Sequence, residues 1–356
     1  MQREANVQRP VQVLVVDDSA VVRQVLEAVL SQEPDMSVTV ASDPLIALQK
    51  MSRIRPDVIV LDLDMPRMDG LTFLRKIMAE DPIPTVICSG VAERGTEAAL
   101  RALDEGAVEI ITKPKLGLRS FLYETGLILT DIVRSAAGAR IRSRLSSVAP
   151  KREPARARPK RTPHRFPSER LVAIGASTGG TEALSEILIA MPPDCPPIVI
   201  VQHMPEVFTA AFAERLNRLC QIEVKEAASG DRIAPGRALI APGNHHMSVR
   251  RRSHRSFVEI EDGPLVSRHR PSVDVMFRSV AKAEGMNALG IILTGMGNDG
   301  ADGLLEMKKA GAETIAQDEA SCVVFGMPKG AIACGAVDTV VPLSQIPWRI
   351  LHARCD

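Results

Sequence analysis

The sequence predicts an α/β protein of two doubly wound parallel-sheet domains joined by a basic linker, and three observations carry that expectation. Short apolar runs such as VQVLVV, DVIVL and LVAIG alternate with longer amphipathic stretches through both halves, the pattern of β-α-β units. Several of these runs empty directly into acids or small residues, at the strand ends where doubly wound folds keep their sites. Between the halves lies an arginine- and proline-rich stretch with almost no apolar residue.

In the first half, Val11 to Asp18 is a buried strand ending in two acids, followed by a helix from Val22 to Leu30. SVTVAS is the next strand and Pro44 to Ile54 the next helix. The strand Asp57 to Asp64, the helix Leu71 to Ala79, the strand PTVICSG and the helix Glu97 to Glu105 continue the alternation. VEIITKP and a helix near Ser120 to Ala136 complete five strands and five helices.

The ends of those strands are chemically loaded. Asp17, Asp18 and Asp62 end the first and third strands, Ser89 the fourth and Lys113 the fifth. A single acid at a strand end is usually a solvated turn residue. Three carboxylates converging in one cleft repel unless a hard cation sits among them, and an all-oxygen donor set suits Mg²⁺. An ammonium and a small hydroxyl opposite complete a cradle for phosphoryl oxygens. With Met65-Pro66-Arg67-Met68-Asp69-Gly70 following the third strand, residues 10–135 resemble the response-regulator receiver domain of two-component signalling, a flavodoxin-like fold. The resemblance implies that Asp62 accepts the phosphoryl group and that Asp17, Asp18 and the backbone carbonyl of Asp64 help hold Mg²⁺. It also implies that Ser89 and Lys113 sense the phosphate. One departure is Ile110, where the family often has Phe or Tyr three residues before the lysine.

The linker, placed at residues 136–167, accounts for the charge balance. Residues 140–165 hold ten Lys or Arg and one acid, so this stretch carries +9 and the rest of the chain −8 behind a net +1. Such a run can be a nucleic-acid-binding arm, but no aromatic stacking residues or reading helix accompany it, and no nucleic-acid partner is expected. Aromatics are only 3% of the chain, so aliphatic side chains and Met must fill the cores. No apolar stretch of about 18 residues or more appears, and MQREANVQRP lacks a signal-peptide core. Six cysteines without C-x-x-C spacing argue against a zinc site or a disulfide framework. A cytoplasmic protein without membrane insertion is expected.

The second half, residues 168–350, begins with LVAIGASTGGT, a strand, a small-residue turn and a helix from Glu182 to Met191. A dinucleotide loop would need glycine where Ser177 stands, and a phosphate-binding P-loop would need a lysine that is missing. The stretch does satisfy G-x-S-x-G, which holds a serine hydroxyl on a sharp turn. A strand Ile198 to Val201 precedes His203, with a helix Phe208 to Leu219 behind it. IEVKEA follows, and ALIAPGNHHMSVRR with SFVEIEDG resembles a hairpin arm. A helix spans Ser272 to Ala283, and a strand through Ile291, Ile292 and Leu293 leads into a glycine-rich turn with Asp299 and a helix Ala301 to Ala310. VVFGMPKGAIACG and DTVVPL close the fold.

Ser177, His203 and Asp299 thus fall at the ends of separate strands, where a serine, an imidazole and a carboxylate can meet in one crevice. His203 is the candidate base and Asp299 the group that orients it. His245 and His246 are rival bases and Asp302 a rival acid. The order Ser, His, Asp differs from that of the alpha/beta-hydrolases, so the serine motif does not place the chain in that fold.

IGASTGG, QHMP, APGNHH, RPSVDVMFRS, LTGMGNDG and DEASCVVFGMPKGAI make residues 168–345 similar to the catalytic domain of the chemotaxis protein-glutamate methylesterases, which are also glutaminases. The resemblance implies a Rossmann-like domain with Ser177 as nucleophile, His203 as base, Asp299 as its partner, and oxyanion support from Thr178 and the backbone at Met296. It further implies hydrolysis of glutamate 5-methyl esters on methyl-accepting chemoreceptors with release of methanol, and deamidation of certain receptor glutamines, with no cofactor for the ester chemistry. A chemotaxis histidine kinase would be the phosphodonor, and the unphosphorylated receiver would restrict the serine crevice. Two alternatives are the same chemistry in a non-motility chemosensory pathway and a response regulator with a nucleic-acid-binding output.

Overall fold

The structure is a computed structural model that describes residues 9–90, 93–113, 126–140 and 170–352. Most of the expected linker therefore lies outside the described residues. The chain divides into two compact units, Met1–Ser143 and Arg144–Asp356.

The first unit is a five-stranded parallel sheet in the order β2-β1-β3-β4-β5, built from β1 (Val11–Val16), β2 (Met36–Ala41), β3 (Val58–Leu61), β4 (Thr85–Ser89) and β5 (Glu109–Thr112). Its helices are α1 (Ala20–Leu30), α2 (Pro44–Met51), α3 (Gly70–Glu80), α4 (Glu93–Asp104) and α5 (Gly126–Ala137). β3 and β4 are buried at every residue, as strands covered on both faces must be. The first three helices start where a short polar side chain takes up free N–H groups: Ser19 accepts from Val22, Asp43 from Leu45 and Ile46, and Asp69 from Thr72. Gly70 opens α3 because a Cβ there would meet the Asp62 carbonyl oxygen at 2.1 Å, so only glycine lets this helix close on the end of β3. In the same loop Arg67 takes a left-handed backbone, φ 72°, and its guanidinium pairs with the buried Asp43 carboxylate. Ile110 is buried in β5 as part of the core.

The second unit is a seven-stranded, all-parallel sheet in the order β14-β13-β12-β6-β7-β9-β8. The strands are β6 (Leu171–Ala176), β7 (Ile198–Gln202), β8 (Glu223–Glu226), β9 (Arg237–Ile240), β12 (Ala288–Ile292), β13 (Glu313–Gln317) and β14 (Thr339–Val341). β10 (His246–Arg252) and β11 (Arg255–Glu261) form a separate antiparallel hairpin. The helices are α6 (Gly180–Ile189), α7 (Glu206–Leu219), α8 (Val273–Glu284), α9 (Ala301–Lys309), α10 (Met327–Ala333) and α11 (Ile346–His352). The expected hairpin arm is thus only partly right. ALIAPGNHHMSVRR splits at Pro242-Gly243: its first residues pair in parallel with β7 and β8, and only the stretch from His246 joins the hairpin. β13, which the sequence pattern did not single out, sits between β12 and β14.

β6 comes first in the domain yet lies near the centre of the sheet, flanked by β7 and β12. The chain turns to one side after β6 and later returns to the other, so the crevice at the carboxyl end of β6 is the switch point where such folds bind ligands. α8 packs onto it closely. A Cβ on Gly175 would lie 2.2 Å from a Val273 methyl and one on Gly300 2.5 Å from the same methyl, so Val273, the first residue of α8, sits in a cradle made by two glycines.

Candidate active site

In the first unit the strand ends converge as expected. One carboxylate oxygen each from Asp17, Asp18 and Asp62 lies within 4.8 Å of the others. Asp17 and Asp62 are buried and Asp18 is exposed. The Lys113 ammonium stands 2.7 Å from Asp62 Oδ2 and 3.2 Å from Asp17 Oδ2. Burial, then the Asp62 charge, pushes the Asp17 carboxyl above the usual range against the pull of Lys113. Burial would lower Lys113, but its bond to Asp62 and the charges of Asp62 and Asp17 win and raise it. Ser89, the last residue of β4, is buried beside them, and Lys113 N donates to Ser89 O at 2.8 Å. Asp64 is exposed; its N–H reaches Asp62 Oδ1 at 3.2 Å.

In the second unit, the turn after β6 is locked from three sides. Ser177 N donates to Thr294 O at 3.0 Å, Gly180 N closes the turn on Ser177 O at 2.6 Å, and Gln202 Nε2 reaches Ser177 O at 3.0 Å. Thr294 Oγ1 donates to Thr178 O at 2.9 Å. Gly179 takes the left-handed conformation, φ 78°, that starts α6 immediately behind the serine. Gly180 is needed because a Cβ would come 2.1 Å from the Gln202 side-chain oxygen.

His203 is the register neighbour of Ser177: Ala176 pairs with Gln202 at the end of β6 and β7, and His203 N donates to Ala176 O at 3.1 Å. Adjacent strands lie about 4.8 Å apart, so the two side chains start from neighbouring positions. His203 Nε2 meets Asp299 Oδ2 at 2.9 Å, while Nδ1 is buried and has no hydrogen-bond partner.

Asp299 is not at a strand end. It lies seven residues beyond β12, in the loop before α9, and what places it is the start of α8. Ser272 Oγ and Asp274 N donate to Oδ1 at 2.8 and 3.1 Å, and Val273 N donates to Oδ2 at 2.7 Å. A helix N-terminus favours negative charge. Burial pushes the Asp299 carboxyl up, but the bond and charge of His203, with Val273 and Ser272, outweigh it and hold the carboxyl below its ordinary range. An ionised Asp299 accepts only, so Nε2 carries the imidazole proton and Nδ1 holds the lone pair.

The loop between β12 and Asp299 lies against the serine. A Cβ on Gly295 would meet Ser177 Cβ at 2.8 Å, and Gly295 O accepts from Gly326 N and Met327 N at 3.0 and 2.8 Å. Thr178 is buried and Met296 half-buried. Among the described residues, neither backbone N–H of these two donates to another group of the chain.

The rivals have other work. His245 is half-buried and pairs with the exposed Asp262 at 2.7 Å. His246 is buried between Pro264 O and Ser272 N, bonds that tie the hairpin to α8. Asp302 is exposed in the first turn of α9. Gln202, Ser272, Thr294 and His269 are site residues that the sequence reading did not assign. The first three share the weak signal of polar residues flanking apolar runs.

Residues 172–350 match the CheB methylesterase family and residues 13–118 the response regulator receiver domain. The chain is 59% identical over 350 residues to protein-glutamate methylesterase/protein-glutamine glutaminase 5 of Anaeromyxobacter dehalogenans (strain 2CP-C), covering 97% of each. It is 56% identical over 354 residues to protein-glutamate methylesterase/protein-glutamine glutaminase 1 of Pseudomonas savastanoi pv. phaseolicola, covering 97% of this chain and 99% of that one. The crystal structure of the Thermotoga maritima CheB methylesterase catalytic domain superposes with a TM-score of 0.51 at 38% identity, covering 52% of this chain and all of that one. No helix of the described residues is long and apolar enough to cross a membrane. A serine turn, an imidazole and a helix-held carboxylate at the switch point, behind a unit with a carboxylate cluster, therefore have their context: the chain belongs to the CheB methylesterase family, with a response regulator receiver domain ahead of the catalytic domain.

Proposed function

We propose that the chain is a phosphorylation-activated protein-glutamate methylesterase and protein-glutamine glutaminase, acting on methyl-accepting chemoreceptors in sensory adaptation. The observation that carries the chemistry is the 2.9 Å contact of His203 Nε2 with Asp299 beside the Ser177 turn. Ser177 Oγ attacks the ester carbonyl as His203 Nδ1 takes its proton, and the imidazolium so formed is matched by the Asp299 carboxylate across Nε2. The N–H groups of Thr178 and Met296 support the tetrahedral oxyanion. His203 then gives the proton to the departing methoxide, and methanol leaves an acyl-serine. Water, deprotonated by the same nitrogen, releases the glutamate. With a glutamine the leaving group is ammonia and the oxyanion is the same, so one site serves both reactions.

The first unit supplies control. Its donor set is all oxygen and clustered within 4.8 Å, which fits a hard divalent cation such as Mg²⁺. Asp17, Asp18, Asp62 and the carbonyl of Asp64 would hold it, and it would neutralise phosphoryl oxygens during transfer to Asp62. A chemotaxis histidine kinase is the expected phosphodonor, with Lys113 and Ser89 facing the added phosphate. The reading places the protein in the cytoplasm.

The test is methanol release from methylated receptor membranes. Ser177→Ala should lose activity by several orders of magnitude with its melting temperature little changed. Activity within tenfold of the parent would remove Ser177 from the mechanism.

A further inference from the structure

His203 does not stand alone in the crevice. The His269 ring lies flat against it, with centroids 3.7 Å apart and planes 10° from parallel. His269 is delivered by a tight turn: Val266 and His269 exchange backbone hydrogen bonds at 3.1 and 2.8 Å, and the two residues between them, Ser267 and Arg268, both take left-handed conformations, φ 50° and 68°. Neither is glycine, and a non-glycine residue in that region carries strain that the surroundings must hold. The surroundings do so. His246 Nε2 pins Pro264 O at 2.9 Å, and Arg270 grips Asn244 Oδ1 at 2.7 Å, so both sides of the turn are fastened to the base of the β10–β11 hairpin. A strained, fastened turn whose product is one imidazole laid on another calls for a role at the site.

We propose that His269 is a positioning residue for the hydrolysis, its ring forming a flat wall that keeps the plane of His203 aligned with Nε2 on Asp299 and Nδ1 left for the serine proton. The inference rests on the triad reading given above. The ring of His203 has rotational freedom about two side-chain torsions, and one hydrogen bond to Asp299 fixes a point on it, not a plane. The stacked ring fixes the plane and covers that face. The wall also has the right charge. Burial first, then the charges of His203 and Arg268, against the pull of Asp299, push the His269 imidazole down to about 3, so it is neutral while His203 gains its proton. A neutral π face then meets the imidazolium as it forms, an interaction stronger in the transition state than before it.

Three full-length variants, His269→Ala, His269→Leu and His269→Phe, are compared with Ser177→Ala for methanol release in the presence of acetyl phosphate. Ala and Leu should lower kcat tenfold or more with KM changed less than twofold, and Phe should restore kcat to within about threefold of the parent. Should Ala fail to fold, Leu against Phe decides alone, because both fill the space and only Phe is flat. Parent-like kcat in Ala or Leu overturns the proposal, as does Phe impaired equally with Leu, which would assign the role to the ring nitrogens. Full activity of Ser177→Ala would instead overturn the triad reading beneath it.

Discussion

Ser272 donates its hydroxyl to Asp299 Oδ1 at 2.8 Å while its own position caps α8, so one side chain joins the start of a helix to the carboxylate that orients the candidate base. With Val273 N, Asp274 N and His203 Nε2, it saturates both oxygens of that buried carboxylate.

Ser272→Ala should therefore cost both stability and rate. Losing a capping hydroxyl typically costs about 1 kcal/mol, and the missing donor leaves Oδ1 with Asp274 N. A fall in melting temperature together with a several-fold drop in kcat for methanol release is expected. A parent-like kcat in the variant would show that the backbone donors alone hold Asp299.

Asp62→Asn should abolish alkali-labile acyl-phosphate labelling from acetyl phosphate, because an amide cannot form the mixed anhydride. Basal methanol release should persist and should no longer respond to the phosphodonor. Continued labelling would place the acceptor on another residue.

Deleting residues 1–165 should raise methanol release above that of the unphosphorylated full chain, as should phosphorylating the full chain. The resemblance implies that the unphosphorylated receiver restricts the serine crevice, and a receiver carried on the same chain would act there at high effective concentration and reversibly. Activation is limited by the difference in affinity between masked and open states and should be graded. A truncated protein no faster than the unphosphorylated whole would mean that the receiver acts by positive contact.

The His269 ring also predicts how acid affects stability. Its folded value of about 3 lies below the ordinary 6.5, so between these values the unfolded chain binds more protons. The stabilisation is complete above about 6.5 and is lost as pH falls toward 3. Asp299, also held low, acts in the same direction. The groups facing His269 are His203, Asp299 and Arg268. Melting temperature should fall as pH is lowered from 6.5 to 4, and less steeply in His269→Phe. Equal slopes in the two proteins would contradict this.

The strands that build both sites were legible because parallel strands covered on both faces are unbroken apolar runs, as in VIVL and LVAIGA. ETIAQ escaped notice because its burial is polar: Gln317 is buried by giving its oxygen to Thr294 N, and Thr314 by bonding Asp338. Ala238 to Ile240 was drawn into the hairpin because only Pro242-Gly243 marks the break. Ser177 and His203 could be found from local motifs. The supports of Asp299 could not, since Ser272 to Asp274 approach it from 25 to 27 residues away in sequence. The stacking of His269 on His203 likewise depends on a turn whose direction no pattern of residue types specifies.

The place of β6 in its sheet has a consequence for synthesis. It is the first strand of the catalytic domain to leave the ribosome, yet its partner on one side, β12, pairs Ala288 with Leu171 from more than a hundred residues downstream. At translation rates of about 5–20 residues per second, that edge of an apolar strand waits roughly 5–25 seconds for its neighbour. The nascent domain therefore spends that interval with an unpaired edge beside the future serine turn, a template on which another strand could pair until β12 arrives.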